Sequence, residues 1–106
     1  MRKYAETLVN YSAWRDCKPF MKRCGNHAVK VNPESATFID DKTGKEVKID
    51  YPSRVFTYHE NVICVVSDCD DEFWLSHAGW FTPSTSQALN QYRELFQKWG
   101  YKCMTD

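Results

Sequence analysis

Five cysteines and three histidines are the side chains of this 106-residue chain best suited to hold a metal or attack a substrate. Cys17, Cys24 and His27 lie close together, Cys64 and Cys69 form a second group, and His59 and His77 fall where strands should end. Zinc loops commonly supply two ligands from one tight turn, separated by about two residues. Neither group has that spacing, so a zinc site would have to be assembled across the fold. Cys64 sits inside the apolar run Val62 to Val66 and is expected to be a buried small side chain. A small Cys/His metal protein stays as an alternative, with no metal ligand and no cofactor assigned.

Asp68, Asp70 and Glu72 alternate as calcium-loop ligands do. Such a loop needs glycine at its sixth position and glutamate at its twelfth, where this chain has Phe73 and Gly79. Nucleophilic catalysis would need a serine or cysteine beside a histidine. Cys69 or Ser76 with His77 or His59 are the available combinations. No nucleophile elbow or cysteine-protease signature accompanies them, and adjacent residues such as Ser76 and His77 point to opposite faces of a strand. The chain has four glycines and no phosphate-cradling loop. The expectation is a protein that is not an enzyme.

Binding chemistry has two candidate surfaces. Lys18, Lys22, Arg23 and Lys30 are interleaved with Phe20, as in a basic sheet face on which bases stack. That makes a nucleic-acid-binding module one alternative, although such modules are usually basic overall and this chain has zero net charge. The second surface is acidic and aromatic: Asp68, Asp70, Asp71 and Glu72, with Trp74 and Trp80. Tryptophans are favoured anchors at protein interfaces, and the chain's four exceed what a core of this size needs, which makes Trp14, Trp74, Trp80 and Phe81 candidates for exposure. The expected partner-binding site is either the acidic turn, Asp68 to Glu72, or the exposed aromatics near Trp74 and Trp80.

The elements that must position these groups are mostly short strands. Phe20 to Cys24 and His27 to Val31 flank the turn pair Gly25-Asn26. After a break at Asn32 to Ser35, a hairpin turns across Asp41 to Gly44, with Gly44 in the left-handed position. If Asp41 and Lys45 close that loop, Ile39 faces Val47 and Thr37 faces Ile49. Arg54 to His59, Val62 to Val66 and Glu72 to His77 follow, the middle run apolar on both faces.

Then the period changes. Leu89, Tyr92, Phe96 and Trp99, with Ala88 and Leu95, make one helical stripe. Ser84 and Gln87 have capping-box spacing, and Pro83 suits the first turn if Thr82 is the cap instead. Gly100 suits the stop, and Tyr101 to Met104 a last edge strand. The expected fold is α+β over residues 1–106 as one domain: a twisted, mainly antiparallel meander sheet packed against one C-terminal amphipathic helix.

At 42% hydrophobic and 15% aromatic the chain can form one core. No apolar run approaches the ~20 residues that span a bilayer. The basic start Met1 to Glu6 has no apolar stretch behind it, so no secretory signal is expected, and the cysteines read as reduced thiols in a cytoplasm. Charge is uneven. Residues 1–31 hold seven Lys/Arg against Glu6 and Asp16, while residues 54–76 hold Arg54 against Glu60, Asp68, Asp70, Asp71 and Glu72.

The segment His77-Ala78-Gly79-Trp80-Phe81-Thr82-Pro83-Ser84-Thr85-Ser86, followed by Leu89-Asn90, resembles a signature of small phage and prophage domains. In that group an aromatic residue precedes a Thr/Ser cluster that opens a helix carrying an Asn. Asn10-Tyr11-Ser12-Ala13-Trp14-Arg15 resembles the tyrosine–serine opening of the same group, without the proline that usually follows the serine. The resemblance implies a phage-encoded binding protein in a bacterial cytoplasm. It would inhibit a host defence or nucleic-acid-processing protein by direct contact.

Overall fold

Runs of β-branched and aromatic residues build the strands, and two helical stripes close the fold. The computed structural model describes residues 4–13 and 18–105; Trp14 and Cys17 lie outside them. The order is α1 (Tyr4–Ser12), β1 (Phe20–Cys24), β2 (His27–Val31), β3 (Ser35–Ile39), β4 (Glu46–Asp50), β5 (Arg54–Tyr58), β6 (Asn61–Ser67), β7 (Glu72–Leu75), α2 (Pro83–Lys98) and β8 (Lys102–Cys103). An open six-stranded sheet runs β1-β2-β5-β6-β7-β8, antiparallel until the parallel pair β7–β8, and β3–β4 form a separate ribbon. The class is α+β.

Both faces of the sheet are covered. On one side α1 and α2 bury Leu8, Val9, Ala88, Leu89, Tyr92 and Phe96 against Val29, Phe56, Cys64 and Phe73. Each large side chain so buried contributes about 1.5–3 kcal/mol. On the other side Ala36 and Phe38 of the ribbon pack with Val55, Val65 and Trp74. The excursion of β3–β4 onto that face makes β2 pair with β5, so the meander skips two strands.

Several details depart from expectation. Helix α1 was not foreseen, although Ala5, Leu8, Val9 and Ser12 are buried at helical spacing. The hairpin is one residue out of the expected register: Phe38 faces Val47 and Ile39 faces Glu46. Asp40, not Asp41, closes the loop. Its N–H donates to the Lys45 carbonyl at 2.9 Å, and its carboxylate accepts the Thr43 hydroxyl at 2.8 Å. A one-residue slip exchanges faces, so Phe38 turns inward and Ile39 outward.

Of the two caps the sequence offers for α2, Thr82 is the one used: its hydroxyl accepts the Thr85 N–H at 3.3 Å and Pro83 fills the first turn. Trp99 is its C-cap and is exposed, not part of the buried stripe. Gly100, at φ +85, lets its N–H reach the Gln97 carbonyl and that of Tyr101 reach Phe96, ending the helix.

Candidate functional site

The expected partner-binding residues do not form one patch. Asp68 is internal. Arg54 Nε and Nη2 grip its two oxygens at 3.0 and 2.7 Å, and these side chains are only 4% and 7% exposed. Ser53 and Tyr101 also donate to this carboxylate, and Arg54 Nη1 donates to Ser12 of α1 at 3.3 Å. Burial alone would raise the Asp68 pKa; the hydrogen bonds from Arg54, Ser53 and Tyr101 outweigh it and lower it. This group ties β5, the β6–β7 turn, α1 and the C-terminal segment together.

Asp70 and Asp71 are exposed at that turn, with Glu72 half-buried beside them. Trp74 packs beneath the ribbon. Trp80 stands beyond the opposite end of β7 and is 62% exposed. The basic residues are likewise divided. Pairing places Lys22 on the helix side of the sheet edge, where its Nζ lies 5.0 Å from the Tyr11 ring centroid. Arg23 and Lys30 take the other side, and Arg23 pairs with Glu60 at 2.6 Å. Lys18 is exposed ahead of β1, and Phe20 packs against the core.

The cysteines and histidines also separate. Among the described residues no three His, Cys, Asp or Glu side chains gather as a metal site. Cys24, Cys64, Cys69 and Cys103 are free thiols, and burial pushes the Cys64 thiol well up. Cys69 is exposed at the acidic turn, and the Ser76 hydroxyl donates to the Ile39 carbonyl. Neither is bonded to a histidine, so the nucleophile pairings considered from sequence are not formed.

What the fold does assemble is a cleft at the start of α2, of about 520 Å³, whose lining includes Tyr58, His59, Ile63, His77, Trp80 and Thr82. Three local devices build it. His59 and Glu60 form the two-residue β5–β6 turn with φ of 49° and 69°, the left-handed pair that such a turn demands. A bulge in β6 leaves Ile63 unpaired between Val62 and Cys64, which turns its side chain toward the helix side and the cleft. Ala78 and Gly79, at φ 53° and 81°, turn the chain after His77, and the Trp80 N–H donates to the His77 carbonyl at 2.8 Å.

That turn sets Trp80 and Phe81 on the rim, 62% and 66% exposed, immediately before the helix cap. The Phe81 ring stacks on His77 at 4.6 Å between centroids. Below the cleft, His27 is sandwiched between Tyr4 and Tyr58 at 4.9 and 4.3 Å. Burial first, and His59 second, lower its pKa.

Comparisons with protein-family models, with curated proteins and with solved structures give no match to this chain. No helix among the described residues is long and apolar enough to cross a membrane.

Proposed function

We propose that this is a small, phage-encoded binding protein that docks on a host protein, of a defence or nucleic-acid-processing system, and inhibits it. The observation that carries this reading is the pair Trp80–Phe81. Two large aromatic rings stand mostly in solvent on a segment fixed by a tight turn, a ring stack and a helix cap. Rings on a backbone segment fixed in this way lose less conformational freedom on docking than rings on a loose loop, and tryptophan is a frequent energetic anchor. The phage resemblance falls on the same stretch, His77 to Ser86, so one unit carries both the likeness and the exposed rings.

The test is affinity capture from bacterial lysate with the wild-type chain and the Trp80→Ala/Phe81→Ala double variant as baits. A protein retained by the first and lost by the second, with thermal stability unchanged, is the expected result. Identical captures by both baits would remove the aromatic rim from the account.

A further inference from the structure

His77 is held at both ring nitrogens. Its Nδ1 lies 2.7 Å from Oδ2 of Asp41, and Oδ1 of that carboxylate accepts the His77 backbone N–H at 2.9 Å. Its Nε2 lies 3.3 Å from the hydroxyl oxygen of Ser86 in the first turns of α2. A carboxylate at Nδ1 favours the tautomer with its proton there, which leaves the Nε2 lone pair to accept from the serine hydroxyl. Asp41, His77 and Ser86 line one cavity of about 330 Å³ together with Leu75, Leu89 and Asn90.

We propose that Ser86, His77 and Asp41 are a nucleophile, a general base and its positioning carboxylate that hydrolyse short-chain carboxylic esters seated in this cavity. The inference goes beyond the binding reading and does not depend on it. Leu75 and Leu89 offer an apolar wall for a short acyl chain. An ester is favoured over an amide because an alkoxide leaves with less help from a proton donor. The 3.3 Å contact is longer than an optimal hydroxyl hydrogen bond, as such contacts often are before substrate binds.

In the first half-reaction the Ser86 oxygen bonds to the ester carbonyl carbon as its proton passes to His77 Nε2, and the carbonyl electron pair moves onto oxygen. That pair then returns, the bond to the alcohol oxygen breaks, and Nε2 gives its proton to the departing alcohol. Water repeats the sequence on the acyl-serine: it loses a proton to Nε2, expels the Ser86 oxygen, and that oxygen recovers the proton. Ester and water become acid and alcohol. Asn90, one turn beyond Ser86 on the same side of α2, lines the same cavity and supplies an amide N–H for the transient oxyanion.

Two measurements on the full chain test this: p-nitrophenyl butyrate hydrolysis, and labelling by a fluorophosphonate with mass mapping of the adduct. The expected result is an adduct on Ser86, and hydrolysis at least ~100-fold slower in Ser86→Ala, since triad serines carry most of the rate. Alanine favours the helix, so this variant should keep its fold. Asp41→Asn should lower kcat ~1,000-fold or more at unchanged KM, with Asp41→Glu restoring part of it, a pattern that loss of structure would not give. Equal hydrolysis by the wild type and Ser86→Ala, an adduct elsewhere, or no adduct overturns the proposal.

Discussion

Tyr92 buries its whole ring 4.6 Å from Phe56, yet its hydroxyl meets no hydrogen-bond partner among the described residues. An unpaired buried hydroxyl costs about 1–3 kcal/mol, so Tyr92→Phe should raise the unfolding free energy by about 1 kcal/mol in urea titration. A loss would reveal an acceptor for that hydroxyl. Asp68 presents the opposite case. Asp68→Asn would leave the Arg54 guanidinium buried without its counter-charge and should cost about 3–5 kcal/mol, measured the same way. An unchanged midpoint would show the pair to be dispensable. Sequence placed Asp68 with Asp70 and Asp71 because four acidic residues in five positions look like one solvated patch. Burial by Ser53, Arg54 and Tyr101, distant in the chain, is not written in that local pattern.

At the scale of elements, much was legible because local rules agreed with the packing. β1 and β2 begin and end where the Gly25-Asn26 turn predicts. Helix α2 starts and stops at residues whose capping chemistry is local. The hairpin register failed for an equally physical reason: the Asp40 carboxylate binds Thr43 and moves the loop closure by one residue. That shift leaves Asp41 to meet His77, a contact 36 residues apart in sequence that no spacing rule anticipates. Ser86 was seen only as part of a capping cluster.

The β5–β6 turn carries a cost of its own, since Glu60, at φ 69°, is a residue that rarely takes positive φ. His59→Asn with Glu60→Gly should stabilise the chain by about 1 kcal/mol in the same titration, because asparagine and glycine enter that conformation more easily. In an Arg23→Ala background, where the Arg23–Glu60 pair is already absent, no gain would mean the turn is not strained. The edges of the sheet are also managed locally. β1 carries Lys22 and Arg23, and β8 is only two residues long, both features that discourage pairing with another chain.

For the whole molecule, stability should depend on pH through His27. Its folded pKa lies below the 6.5 of an unperturbed histidine, so the unfolded chain takes up a proton first. The His27 contribution is complete above pH 6.5 and is lost as pH falls through the folded value. Denaturation midpoints should therefore decline on acidification below that point, less steeply in His27→Phe. Equal slopes would contradict the buried neutral imidazole. Asp68 has the same sign at lower pH: its contribution is present above 3.8 and is lost below it, through its lowered folded pKa.

The three-layer arrangement leaves Trp80 and Phe81 as an exposed aromatic rim at one end, with the acidic turn at the other. The most direct test of that rim as the working surface is photo-crosslinking in bacterial lysate, with p-benzoyl-phenylalanine in place of Phe81 or, as control, of exposed Tyr51. The account predicts a discrete adduct from position 81 and none of that mass from position 51. The same adduct from both positions, or none from position 81, would contradict it.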